Sequence, residues 1–384
     1  MTRPSRRASG MPPFLVMEVL ERAAALEREG RSIIHMEIGE PDFDTPEPIR
    51  AAGVRAMAEG HTHYTHSQGH PQLREAISRW MDRRYGVEVT PGRIVVTMGT
   101  SGAMLLTCAA LLDPGDHVLM TDPCYACYPN FVRAFHGESV RLRVHEADGF
   151  QYDIDEVARH LDGKTKALFL NSPSNPTGTV TSSDRMRRLA EATAGRVQVI
   201  SDEIYHGLTY KEPARSILEF DPDAIVVSGF SKLYAMTGWR LGYAILPEPL
   251  VRPVQKLQQN LFISAPDFAQ FAAIAALEEA HEDVERMRRC YDARRTLVLA
   301  RLQSMGLPVL VEPTGAFYVF FNVARYTPDV LSFSFEVLEA AGVALTPGVD
   351  FGPGGEGFLR LSYANSLENL SEGLDRLEHF LQHR

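Results

Sequence analysis

The chain predicts an α/β fold: a mostly parallel seven-stranded sheet in a large domain, with a smaller α+β domain formed by both chain ends. Three observations carry this. From about residue 90, short β-branched runs alternate with helical segments. Several of those runs are continuously apolar rather than alternating, which suits strands buried on both faces of a parallel sheet. After Leu246 the pattern turns helical for a long way before two further strand candidates appear.

Taken in order, Phe14 to Glu29 carry apolar side chains at helical spacing and stop at Gly30, a C-terminal cap. An extended stretch, Ile33 to Ile38, and a turn-rich Gly39-Glu40-Pro41-Asp42-Phe43 follow. The sheet candidates are Arg93–Met98, His117–Thr121, Val140–Val144, Lys166–Leu170, Val197–Ser201, Ala224–Ser228 and Leu241–Leu246, with helical crossovers between them. A long charged, amphipathic helix is expected from about Glu282 to Met305. Gly315–Asn322 and Gly357–Ser362 are strand candidates, and a helix over Leu367 to Leu381 closes the chain. The expected division is an N-terminal arm and part of the small domain over 1–45, the large domain over 46–281 and the small C-terminal domain over 282–384.

A formal charge of -10 argues against nucleic acid as a partner, because phosphate backbones select basic surfaces. No run of eighteen apolar residues predicts a membrane span, and the basic, polar Met1 to Gly10 lacks the apolar continuation of a secretory signal. Four cysteines in 384 residues do not make a disulfide scaffold, so a cytoplasmic location is expected. Cys124-Tyr-Ala-Cys127 has no second pair, and the cluster His61, His63, His66 and His70 has no companion at ligand spacing. No metal is expected; solvated or subunit-facing histidines are.

Chemistry concentrates at predicted strand ends, where open α/β sheets place ligands. In Ser228-Gly-Phe-Ser-Lys-Leu-Tyr-Ala-Met-Thr-Gly-Trp-Arg240, Lys232 is flanked by apolar residues. Desolvation lowers a lysine pKa, as a Schiff-base or general-base lysine requires; a snorkelling surface lysine fits the same segment. Asp202, in Ile-Ser-Asp-Glu-Ile-Tyr205, needs a partner at its strand end: a protonated pyridine nitrogen, the backbone of a helix it caps, or both at once. Asn171-Ser-Pro-Ser-Asn-Pro-Thr-Gly178 is a stiff turn able to fix Asn175. Met98-Gly-Thr-Ser-Gly-Ala103 is a strand-to-helix turn of small residues suited to a phosphate, with Arg240 as a natural partner.

In this order, these segments resemble fold-type I pyridoxal-phosphate aminotransferases of class I/II, closest in wording to the aspartate aminotransferase-like branch. The resemblance runs from about Ile38 to Tyr363. It implies pyridoxal 5'-phosphate as cofactor and ping-pong transfer of an amino group from an L-amino acid to a 2-oxo acid through a Lys232 internal aldimine. It also implies a homodimer with shared sites. Lys232, Asp202 and Tyr205 would be catalytic, with Asp202 on the pyridinium and Asn175 and Tyr205 on the phenolic oxygen. Tyr125 would stack on the ring. Gly99, Thr100, Ser101, Ser231 and Arg240 would hold the phosphate, joined by Tyr64 of the neighbouring subunit. Arg360, in Phe-Leu-Arg-Leu-Ser-Tyr, would clamp the substrate carboxylate with Asn175 and the backbone N–H of Gly39.

Two positions depart from the family pattern. Gly229 stands where many members carry a hydroxyl on the phosphate, so that contact is absent or comes from Ser228 or Ser231. Tyr128 stands where the best-known aspartate enzymes have a histidine supporting the cofactor aspartate, so support must be built differently. A β- or γ-eliminating lyase could use the same apparatus. A DNA-binding regulator is the third reading; the roughly thirty residues before the Gly39 segment are too few for a winged helix.

Overall fold

The computed structural model describes residues 2–384. Its strands are β1 (Ile34–His35), β2 (Ile94–Thr97), β3 (His117–Asp122), β4 (Glu138–Arg143), β5 (Thr165–Asn171), β6 (Gln198–Asp202), β7 (Ile225–Gly229), β8 (Gly242–Ile245), β9 (Tyr318–Asn322), β10 (Val343–Ala344), β11 (Thr346–Pro347) and β12 (Phe358–Ser362). The helices are α1 (Arg6–Ser9), α2 (Leu15–Arg28), α3 (Glu47–Ala58), α4 (Pro71–Tyr85), α5 (Gly99–Leu111), α6 (Tyr128–Ala134), α7 (Ile154–Arg159), α8 (Ser183–Thr193), α9 (Glu248–Leu261), α10 (Asp267–Glu279), α11 (His281–Ser304), α12 (Val330–Ala341) and α13 (Leu367–Gln382).

The central sheet has seven strands in the order β2-β8-β7-β6-β5-β3-β4. Pairing is parallel throughout except at β8, which runs antiparallel to both neighbours. Every residue of β2, β7 and β8 is buried, which is why their sequences are apolar without alternation. Hydrophobic cores lie on both sheet faces, one centred on Leu168, Val199 and Val226, the other on Phe169, Ile200 and Val227. Neighbouring residues of a strand thus point into opposite cores.

The two chain ends meet outside this sheet. β1 pairs in parallel with β10, and β11-β12-β9 form an antiparallel sheet. Local chemistry sets the helix limits: Ser366 caps α13 by accepting from the Asn369 N–H at 3.1 Å, and left-handed Gly86 stops α4. Near the N-terminus α1 forms, and Arg7 donates to the Ala134 carbonyl at 2.8 Å.

Candidate active site

Strands β5, β6 and β7 end side by side, and Asn171 and Asp202 are register partners at their ends. The Asn171 side chain joins the two loops beyond. Its Nδ2 donates to the Asp202 carbonyl at 3.1 Å, and its Oδ1 accepts from the Asn175 N–H at 2.8 Å. A cavity of about 330 Å³ opens over these ends, within the size range of small-ligand sites. Gly39, Thr100, Ser101, Tyr125, Asn175, Asp202, Tyr205, Ser231, Lys232, Arg240 and Arg360 all line it.

Asp202 is buried, with one donor on each oxygen: the Tyr128 hydroxyl to Oδ2 at 2.8 Å and the Ile204 N–H to Oδ1 at 3.2 Å. Burial pushes its pKa up to about 6, against those two hydrogen bonds and the nearby Lys232 ammonium. Lys232 is half-buried, and its Nζ donates to the Gly39 carbonyl at 2.5 Å. Desolvation brings its pKa down to about 8; Glu40 and Asp202 oppose the fall, while Arg360 and Arg240 deepen it. Burial thus weakens the charged form of both groups, driving the lysine pKa down and the carboxyl pKa up on one cavity.

On the wall that carries Thr100 and Ser101, α5 starts without a capping side chain, so its first backbone N–H groups carry no side-chain acceptor. Gly99 has φ +67, and a Cβ there would lie 2.8 Å from Arg240 Nη2, so the guanidinium rests against the helix start. Gly99 itself sits behind Thr100 and Ser101 rather than on the cavity wall. The structure also accounts for Gly229. A Cβ there would come 2.9 Å from the Gly242 Cα and 3.0 Å from the Leu241 carbonyl, so no side chain fits between β7 and β8. Ser228 turns away, its Oγ donating to the Glu203 carbonyl at 3.3 Å, so of the two serines only Ser231 lines the cavity.

Also on the cavity wall, Arg360, only 3 % exposed, donates to Asn175 Oδ1 at 2.9 Å, Thr346 Oγ1 at 3.1 Å and the Glu37 carbonyl. All three acceptors are neutral, and its Nε has no partner. Its head lies 4.5 Å from the Tyr318 ring centre and 5.0 Å from that of Phe351. A buried cation so placed calls for an anion. These features fit a cofactor with a pyridine nitrogen at one pole and a phosphate at the other, beside a carboxylate-bearing substrate.

Tyr64 does not reach the cavity; it is 80 % exposed. Sequence reading missed Tyr318, whose hydroxyl hydrogen-bonds that of Tyr205 at 2.8 Å, and the wall made by Phe14, Val16 and Met17 at the start of α2. It also missed the Tyr128 bond to Asp202, although the position itself drew notice. The histidine cluster is partly tied down rather than solvated: His70 Nε2 lies 2.6 Å from Asp267 Oδ1, and His61 packs on Phe271. The Cys124 thiol is pushed up to about 12 by burial, which keeps it protonated. Among the described residues no group of three or more metal-ligating side chains occurs.

The sequence profile of the family described as aminotransferase class I and II matches residues 31–377. The chain is 42% identical over 382 residues to the (5-formylfuran-3-yl)methyl phosphate transaminase of Methanocaldococcus jannaschii, covering 98% of this chain and 99% of that one. It is 40% identical to the aspartate aminotransferase of Thermotoga maritima, over 99% of this chain and all of that one. The solved structure of Thermus thermophilus aspartate aminotransferase with maleate superposes with a TM-score of 0.95 at 38% identity, covering 99% of this chain and 100% of that chain.

Proposed function

Because this chain belongs to the class I and II aminotransferase family, and is on that ground a pyridoxal 5'-phosphate-dependent transaminase, we propose that the cavity around Lys232 is its active site. The cofactor, when bound, supplies an electron sink for bonds breaking at the substrate Cα. The protein's own part is positioning, charge and proton movement. Lys232 holds the cofactor through Nζ and moves the proton at the substrate Cα, work suited to an amine with a pKa near 8. Asp202 sets its carboxylate against the pyridine nitrogen. Thr100, Ser101, Ser231 and Arg240 hold the phosphate with the N-terminus of α5, where Gly99 supplies the turn. Tyr125 covers the ring face.

Arg360 takes the substrate carboxylate through its guanidinium edge, with the Gly39 N–H beside it. Asn175 Oδ1 already accepts from Arg360, which leaves its Nδ2 to donate to the cofactor's phenolic oxygen together with Tyr205. The single observation that carries this reading is one cavity holding Lys232, Asp202 and a buried Arg360 with only neutral partners. Elimination would use the same residues, but full-length relatives named as aminotransferases favour transamination.

The reading extends to a homodimer in which an exposed Tyr64 reaches the neighbouring site, and to a domain division at 1–45, 46–281 and 282–384. We also place the enzyme in the cytoplasm, supported by four unpaired cysteines. No helix among the described residues is long and apolar enough to cross a membrane. The test is a panel of amino donors mixed with cofactor-loaded protein and followed by visible absorbance. Conversion of the cofactor to its amine form, reversed by a 2-oxo acid, is expected. Release of pyruvate and ammonia with no acceptor present, or no conversion with any donor, overturns the proposal.

A further inference from the structure

Tyr128 is 2 % exposed, yet its hydroxyl is neither orphaned nor spent on backbone: it donates to Asp202 Oδ2 at 2.8 Å. The ring that carries it is held on two sides. It stacks on Phe169 of β5 with centroids 4.5 Å apart and planes 5° apart, and Tyr125 meets it edge-on at 5.3 Å and 82°. The Tyr128 N–H also donates to the Tyr125 carbonyl at 3.0 Å, so one turn carries both the cavity-wall ring and the phenol behind the acid. The groups facing Asp202 are therefore this phenol, the Ile204 N–H, Tyr125 and, across the cavity, Lys232.

We propose that Tyr128 is a positioning residue that keeps Asp202 ionised and fixes the direction of its free lone pairs into the cavity; this rests on the reading of Asp202 as the partner of the pyridine nitrogen. A phenol whose own ionisation is driven well above the ordinary range by burial stays a donor wherever the enzyme works. As a donor it stabilises the carboxylate more than the neutral acid, which opposes the desolvation that favours the neutral acid. With Oδ2 and Oδ1 each tied by one hydrogen bond, the carboxyl plane cannot swing. Without the phenol, Asp202 would be both more weakly acidic and free to rotate.

Tyr128→Phe keeps the ring between Phe169 and Tyr125 and deletes only the hydroxyl. In the cofactor-loaded enzyme, the pH midpoint of the visible absorbance change is expected to rise by about one unit, and the donor half-reaction to slow about tenfold. Cofactor affinity should fall with them. The same substitution in an Asp202→Asn background should move the midpoint no further, because Tyr128 acts through Asp202. A thermal melt of each variant separates this from loss of folding. An unchanged midpoint in folded Tyr128→Phe, or an equal shift in the Asp202→Asn background, overturns the proposal. If the parent enzyme itself never converts its cofactor with any donor, the fault lies with the assigned function. If the parent converts and Tyr128→Phe matches it, the fault lies with Tyr128 alone.

Discussion

Replacing Arg360 with lysine keeps the positive charge and removes the planar fork, so it isolates geometry from charge. The guanidinium is fixed by three neutral acceptors and lies close to the Tyr318 and Phe351 rings. A lysine ammonium at the end of a flexible stem can replace one hydrogen bond to a carboxylate but not two parallel ones. It also leaves some of Asn175 Oδ1, Thr346 Oγ1 and the Glu37 carbonyl without their donor. A lost hydrogen bond to a charged group costs about 1.5–3 kcal/mol and an unsatisfied buried acceptor about 1–3. A net loss of about 3 kcal/mol is therefore expected, which is about 150-fold in kcat/KM for the donor half-reaction. The assay is single-turnover absorbance against rising donor concentration, with cofactor affinity measured separately. The penalty should fall on substrate and leave cofactor affinity nearly unchanged. Arg360→Lys within about threefold of the parent, or a matching loss of cofactor affinity, refutes the reasoning.

Other expectations follow from the same geometry. Asp202 climbs from 3.8 to about 6 on burial, so the cofactor-free protein should lose stability as pH rises from 4 through 6, by about 3 kcal/mol from this group. Urea denaturation of Asp202→Asn should lack that part of the pH dependence, and parallel profiles for the two proteins would contradict it. Gly229→Ser should destabilise by about 1–3 kcal/mol, because the new side chain meets the Gly242 Cα and the Leu241 carbonyl; an unchanged denaturation midpoint counts against it. Tyr64→Phe should weaken cofactor binding about tenfold in a spectral titration without changing the melting temperature of the cofactor-free protein. A fully active monomer in sedimentation would remove the reason for that loss.

The interior sheet strands were legible because burial on both faces writes itself as an apolar run; the edge strand β4 is mostly exposed and shows only its Val140 and Leu142, yet each of the seven expected runs overlaps its strand. β10 and β11, two residues each, are too short to carry any period and arise from pairing with β1 and β12. Of the site, the groups at strand ends were legible, since Lys232, Asp202 and Asn175 each follow an apolar run. Tyr318 was not, because it comes from β9 and meets Tyr205 only through tertiary packing. Phe14, Val16 and Met17 read as the start of an amphipathic helix, and nothing local marks them as a cavity wall. Gly229 and Tyr128 were visible as departures. What each meant depended on a neighbour distant in sequence, Gly242 in one case and Asp202 in the other.

That wall at the start of α2 differs in kind from the one formed by the start of α5. Around Gly99 and Gly242 backbone abuts backbone, since a Cβ at Gly242 would fall 2.7 Å from the Thr100 nitrogen. Variation there is closed. The α2 wall is instead held by side chains: Asp350 accepts from the Leu15 N–H at 2.8 Å and the Val16 N–H at 3.3 Å, and Val19, Ala23 and Leu26 pack on Leu338 and Ala344. Its cavity-facing side chains belong to no strand or sheet register. Met17, 43 % exposed, is the position there where shape can change most freely, whereas Val16 is buried and Phe14 meets the Tyr125 ring edge-on at 6.4 Å. Two walls of one cavity thus admit different amounts of change: around Gly242 the backbone leaves no room for a Cβ, while at the start of α2 side chains alone set the shape.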